Sequence, residues 1–425
     1  MKRVLMVAFH FPPLAGGSGI QRTLRFAQHL PALGWQPLVL SADPRAYAQT
    51  STELLAEVPS ETVVQRAFAL DTARHMSLRG HYMGWMARPD RWVSWQWAAV
   101  RDGLKMIDTF KPDAIWSTYP IATAHLIGAR LQRKTGLPWI ADFRDPMAQD
   151  GYPSDAATWQ SFKRIEERAV TQASACVFTT PGAARMYRVR YPQAPTRMQV
   201  IENGFDESSF AGLSKHTVAL NPGKLTLLHS GIVYPSERDP GPFLEAVAQC
   251  LQQGSIQRER LRIRFRAAVH ENVLVGMAQK YQLQDVIELL PSLSYREALA
   301  EMLCADALLV MQAANCNEQI PAKLYEYLRA GCPILGLTDA DGDTAGALRA
   351  SGISSIAALD SVEDIAALLP LFLTQVANAK ADAPQTCTVQ AAERHLRSLE
   401  LAKLLDEVTR NSSVSTNHTS VAASL

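Results

Sequence analysis

Short apolar runs and stretches of helical spacing alternate along the whole chain. In the first half, apolar runs at 3–9, 37–41, 113–117, 138–143, 175–179 and 198–202 predict strands. Apolar positions recurring every three to four residues predict helices at 20–33, 96–109, 122–135, 158–173 and 182–190. The second half repeats the scheme: KLTLLHSG, RLRIRFRAA, DVIELL, ADALLVM and CPILGL read as strands, with helices between them. Such alternation predicts parallel sheets with helices on both faces. NGFDESSFAGLSKHTVALNPG (203–223) is rich in Asn, Gly, Ser and Pro and reads as a connection. The expectation is therefore an α/β chain with two doubly wound domains, at 1–203 and 224–385, joined through 204–223. Ligands in such sheets bind outside the carboxyl ends of the strands, so two facing domains would place a site in the cleft between them. A last helix is expected at 386–409, and the polar tail 410–425 is expected to be disordered.

At 425 residues the chain is long enough for two or three domains, and 47% apolar content is ample for their cores. No apolar run approaches the ~18 residues of a membrane span. MKRVLMVAFHFPP lacks a small-residue cleavage site and runs straight into a strand pattern, so it does not read as a signal peptide. Six cysteines (176, 250, 304, 316, 332, 387) form no C-x-x-C pair, which fits a reduced cytosolic protein and argues against structural zinc. The net charge of +1 hides an asymmetry: residues 1–203 carry 24 Lys+Arg against 16 Asp+Glu, and 204–425 carry 18 against 25. A basic first half suits an anionic membrane surface, and ordinary surface variation gives the same count.

Two segments carry candidate chemistry. FHFPPLAGGSGIQRTL (9–24) is a glycine-rich turn between a first strand and a first helix, a phosphate-binding arrangement. The dinucleotide fingerprint needs a third glycine where Arg22 stands, and the ATP loop needs Gly-Lys-Ser/Thr, which is absent. In NCNEQIPAKLYEYLRAGCPILGL (315–337), Pro321 suits a first helical position, Gly331 ends the helix and Pro333 lies beyond. Glu318 then sits in the loop before the helix and Glu326 within it. A nucleoside diphosphate sugar fits this pattern: helix-start amides around Pro321 and Ala322 for the diphosphate, Lys323 as a point charge, Glu326 for a ribose diol, and Glu318 reaching the sugar.

EQIPAKLYE is an E-x7-E pattern, and it resembles the nucleotide-sugar site of family 4 retaining glycosyltransferases. FPPLAGGSGIQRTLRFAQHLPALGW, ADFRDP (141–146), IENGFD (201–206) and HSGIVYPSERDPGPFLEAV (229–247) look like further motifs of that family, in the same order. The resemblance covers roughly residues 1–408. It implies the GT-B fold: two facing Rossmann-like domains, with the last helix crossing back to the N-domain. It implies a retaining transferase that moves a sugar from a nucleoside diphosphate sugar to a saccharide hydroxyl, with a lipid-linked acceptor in envelope or exopolysaccharide synthesis in view. It also implies no metal or cofactor, and a cytoplasmic location with a peripheral seat on the inner face of the membrane as an option.

Under this resemblance Gly16 and Gly17 face the donor diphosphate, and backbone around Leu293 meets the base. The Arg usual after the first C-domain strand is missing from Gly231-Ile232-Val233-Tyr234, and Arg238 is the substitute. Ser117-Thr118-Tyr119-Pro120 stands where many relatives have a His or an acid, which leaves the general base open, with His10 and His125 as spare candidates. Asp142, Arg144 and Asp145, with Arg22, bind the acceptor or organise a loop as a buried ion pair. DADGD (339–343) reads as a loop with Asp343 as a helix N-cap rather than as a metal site. Trp85, Trp92, Trp95 and Trp97 among Arg79, Arg88 and Arg91 suit either a membrane interface or packing beneath an insertion; no motif supports nucleic acid. Three other readings stay open: a nucleotide-sugar epimerase on the same fold, a non-catalytic nucleotide-sugar-binding module and, most distantly, a nicotinamide dehydrogenase.

Overall fold

A computed structural model describes residues 1–15, 19–213 and 219–422. The chain divides into two compact units, Met1–Glu202 with His395–Leu425, and Asn203–Arg394.

In the first unit the strands are β1 (Lys2–Val7), β2 (Trp35–Ala42), β3 (Val63–Ala67), β4 (Ala114–Thr118), β5 (Trp139–Arg144), β6 (Ala175–Phe178) and β7 (Arg197–Val200). They form a seven-stranded sheet in the order β3-β2-β1-β4-β5-β6-β7, with every neighbouring pair parallel. The order turns back at β1, the switch point of a doubly wound sheet. Both faces are covered. One buries Leu5, Trp95, Ile127, Phe143 and Tyr187, and the other buries Met6, Leu24, Phe26, Trp116 and Ile140. Leu401, Leu404, Leu405 and Val408 of the last helix (Arg394–Ala422) pack into this second core, so the end of the chain returns to the first unit.

The second unit holds β8 (Leu225–Ser230), β9 (Leu261–Arg266), β10 (Ile287–Leu290), β11 (Ala307–Gln312), β12 (Ile334–Thr338) and β13 (Ile356–Ala357). These form a parallel sheet in the order β10-β9-β8-β11-β12-β13, which is the Rossmann order. Helices cover both faces, and the strands are apolar except where polar side chains find partners, as Arg264 and Arg266 of β9 do on Glu288 and Glu301. Among the described residues, no helix is long and apolar enough to cross a membrane.

Three differences from the sequence reading have physical causes. The described parts of the segment 203–223 belong to the second unit and contain a helical turn at Glu207–Phe210. The expected helix at 386–409 is two helices, Thr386–Ala391 and Arg394–Ala422. The break is made by chain from far away in sequence: Phe205 donates its N–H to Ala392 O (3.2 Å), and Arg394 donates to Phe205 O (2.8 Å). Beyond residue 409, where a disordered tail was expected, the backbone stays helical to Ala422. Extending a formed helix costs less than nucleating one.

Candidate functional site

In the second unit the candidate residues gather around the ends of β8 and β11 and the start of the helix Lys323–Ala330. That helix begins two residues later than the sequence implies. Pro321 and Ala322 make a tight entry turn in which Leu324 N–H bonds Pro321 O (2.9 Å), and Ala322 caps with helical dihedrals (φ −55, ψ −32). Gly331 ends it at φ +69.

Lys323, the first helical residue, donates from Nζ to Nε2 of His229 at 2.9 Å. The other ring nitrogen of His229, Nδ1, donates to Leu309 O at 3.0 Å, which fixes the tautomer. His229 is wholly buried, and burial, the nearby Lys323 and Arg238 hold it well below its ordinary pKa, so it is a neutral acceptor. Burial also depresses Lys323 well below the usual lysine range, with Arg238 adding to this and Glu326 opposing it. The approach is close: a Cβ on Gly231 (φ +120) would lie 3.1 Å from Lys323 Nζ. Glycine at this position thus serves both its left-handed backbone and the lysine beside it.

Arg238 folds back over the Tyr234 ring (5.2 Å) and donates from Nη1 to Ile232 O (2.9 Å). This is the one hydrogen bond its side chain makes among the described residues; its backbone N–H donates to Tyr234 O (2.8 Å). Glu326 accepts from Tyr295 Oη at 2.8 Å. Burial raises its pKa, and Arg394, the Tyr295 bond and Lys323 pull it back.

The loop carrying Glu318 is braced from several sides. Gln312 Nε2 donates to Cys316 O (2.6 Å) and Gln319 O (3.0 Å), while Thr344 Oγ1 donates to Gln319 O (3.0 Å). Glu318 itself is half-buried. Leu293 is exposed in the loop after β10, and Arg266 steadies that loop by donating to Pro291 O (2.9 Å) while held by buried Glu301 (2.8 Å). Asp343 is the first residue of its helix rather than its N-cap; Gly342 takes the cap position, where a Cβ would meet Asn317 Oδ1 at 2.8 Å.

In the first unit, Arg22 and Asp142 form a buried fork: Nε to Oδ2 at 2.8 Å and Nη2 to Oδ1 at 2.9 Å. Thr118 donates to Asp142 Oδ2 (3.1 Å), and Arg22 also donates to Ile201 O and Glu202 O, both at 3.0 Å. Asp142 is thereby committed to organising the strand ends. Arg144 adopts φ +60 and is nearly buried; a Cβ on Gly19 would lie 2.9 Å from its Nη1 and 2.3 Å from His10 Nδ1. Glycine is therefore required at Gly19 for close approach. Gly16 and Gly17 lie outside the described residues. Asp145 is raised by burial, with Arg144 and Arg22 opposing and Asp142 adding to the rise. His10 is pushed down to about 3 by burial and Arg144.

His125 accepts on Nδ1 from Ser117 Oγ (2.8 Å), which in turn accepts from Trp139 Nε1 (2.8 Å). It is wholly buried and pushed down to about 4 by desolvation. This histidine is a packed, neutral structural group. A folded pKa below the unfolded value means that the unfolded chain binds the proton first. The stability it supports is therefore lost as pH falls below the ordinary value of 6.5. Denaturant unfolding of wild type and His125→Leu should show the stability gap between them shrinking by about 2 kcal/mol from pH 7 to pH 5. An unchanged gap would mean that His125 is not held neutral.

Residues 17–204 match the model of a glycosyl transferase 4-like domain. No curated protein sequence matches the chain. Sucrose-phosphate synthase of Thermosynechococcus elongatus superposes with a TM-score of 0.69 at 13% identity, over 97% of this chain and 100% of that one. Anabaena Alr3699/HepE in complex with UDP-glucose gives 0.67 at 14%, over 96% and 100%. Trehalose 6-phosphate synthase of Burkholderia multivorans gives 0.59 at 13%, over 100% and 99%. At these identities the likeness is one of fold. The chain thus has the GT-B, glycosyltransferase-like fold, and its first half matches a glycosyl transferase 4-like domain.

Proposed function

We propose that this chain is a retaining glycosyltransferase that takes a sugar from a nucleoside diphosphate sugar and passes it to a saccharide hydroxyl. The observation that carries the reading is Lys323 at a helix start, held by His229 beside Gly231, with Arg238 near enough to lower its pKa and Glu326 three residues further along. In this reading the donor diphosphate lies against Lys323, Arg238 and the amides after Pro321 and Ala322. Glu326 accepts the ribose hydroxyls, Glu318 reaches the sugar, and backbone at Leu293 meets the base. As the glycosidic bond loosens, the two cations take up the growing charge of the leaving diphosphate. The acceptor oxygen attacks from the same face and its proton passes to the leaving phosphate, so no covalent sugar–enzyme step is needed. The first unit is assigned to the acceptor, which we place in cytoplasmic assembly of a lipid-linked envelope saccharide or exopolysaccharide. The complex of Alr3699/HepE with UDP-glucose, on a similar fold, favours a nucleotide-sugar donor.

A thermal-shift panel of UDP, GDP, ADP and dTDP sugars tests donor binding, because a ligand of the native state raises its melting temperature. One class should stabilise the chain. Glu326→Ala should weaken that donor roughly 10–100-fold, the loss of a charged hydrogen bond to a diol. Transfer assayed with the identified donor should continue in EDTA and give a product that keeps the donor's anomeric configuration by NMR. An inverted product, or epimerised donor without an acceptor, would contradict the reading.

A further inference from the structure

The large exposed apolar side chains of the first unit include five within ten residues: Met76, Leu78, Tyr82, Met83 and Trp85. Leu78 is 80% exposed, Met83 65% and Trp85 66%, where most side chains of this size are buried. They stand on an ordered frame. Leu78 and His81 exchange backbone hydrogen bonds (2.8 and 3.1 Å) across a two-residue turn, and Arg79 (φ +51) and Gly80 (φ +82) both have positive φ. That backbone favours Asn-Gly, so the arginine at the tip runs against the local preference. Thr72 anchors the far ends, donating from Oγ1 to Met86 O (3.1 Å) and from its N–H to Arg91 O (2.8 Å). The four tryptophans of this region divide: Trp95 is buried and Trp92 donates to Ala46 O (3.2 Å), so these two are packing; Trp97 is exposed with Arg130 over its ring (4.8 Å), and Trp85 points outward from the hairpin.

The charge pattern says what covers this hairpin. Between Thr72 and Pro89 there are three arginines (Arg74, Arg79, Arg88), two histidines and no carboxylate. Arg74 is turned inward to Tyr47 O and Arg88 lies 3.5 Å from Asp155, while Arg79, at the tip, has no ion-pair partner among the described residues. Leucine, methionine, tyrosine and tryptophan around a cationic tip match the boundary between acyl chains and anionic headgroups.

We infer that the hairpin 76–86 is a membrane-docking element that seats the first unit on an anionic lipid surface. Leu78, Met83 and Trp85 enter the headgroup–acyl boundary and Arg79 meets the phosphates. The test is co-sedimentation of the full chain with vesicles of phosphatidylglycerol and phosphatidylcholine, against vesicles of phosphatidylcholine alone. The chain is expected to sediment with the anionic vesicles and to bind less as salt rises. The triple variant Leu78→Ser, Met83→Ser, Trp85→Ser should bind at least tenfold more weakly. Arg79→Glu should weaken binding, and Arg79→Asn, which suits the turn, should weaken it less. Leu78→Ser alone, at a site with little to unpack, keeps the test valid if the triple variant misfolds. Wild type left in the supernatant, equal binding to both vesicles, or binding untouched by the variants would overturn the inference. So would a dimer in sedimentation velocity that the same variants dissolve, since the hairpin would then be a protein contact. The donor-induced thermal shift, read in the same variants, reports on the second unit and should stay unchanged, which separates this inference from the proposed chemistry.

Discussion

Lys323→Met is expected to lower sugar transfer by roughly 10²–10³, most of it in kcat. Methionine keeps an apolar stem of similar length, so the helix start should survive and the change is chiefly one of charge. In the free protein Lys323 is held well below the ordinary lysine value by burial and by Arg238, with His229 accepting its hydrogen bond. A diphosphate placed beside Nζ opposes both effects and raises its proton affinity. Donor binding should therefore take up a proton, and affinity should fall as pH rises through the depressed value. Calorimetry in two buffers of different ionisation enthalpy reads the uptake directly, and Lys323→Met should abolish both the uptake and the pH slope. A variant within twofold of wild type in kcat would remove Lys323 from the chemistry.

Asp142→Ala is expected to destabilise the chain by about 3–5 kcal/mol, because it leaves the Arg22 guanidinium buried without its counter-charge. At about 2–4 °C per kcal/mol for a unit of this size, the melting temperature of the first unit should fall roughly 6–20 °C. The double variant Arg22→Met, Asp142→Leu should recover much of this, since an apolar pair of similar volume removes the unpaired charge. Additive losses in the double variant would mean that the fork is not a unit and that each residue acts elsewhere.

These two expectations mark what was readable in the chain. Lys323 and Glu326 were legible because the helix start, the spacing from Glu318 and the Gly331–Pro333 stop lie within some twenty residues. His229 was not, because a single histidine at the end of an apolar strand reads as core. Its partner is 94 positions away, and only the register of β8 beside β11 brings Lys323 to it. Arg22 could be grouped with Asp142, Arg144 and Asp145, but which carboxylate receives it could not be read, because Asp142 is 120 positions distant. The parallel sheets were legible from apolar runs, except where the run was poor. β3 (VVQRA) is an edge strand with polar residues at two of five positions, and β13 has only two residues. The interrupted final helix was hidden because its break is imposed by Phe205 rather than by any local Gly or Pro.

The central claim is that a donor's diphosphate sits at the Lys323 helix start. The most direct measurement is a crystal structure of the chain with whichever nucleoside diphosphate raises its melting temperature most. The account predicts phosphate oxygens within hydrogen-bonding distance of Lys323 Nζ and the Arg238 guanidinium, and the ribose hydroxyls on Glu326. A nucleotide bound elsewhere, with Lys323 still donating to His229 and untouched by phosphate, would contradict it.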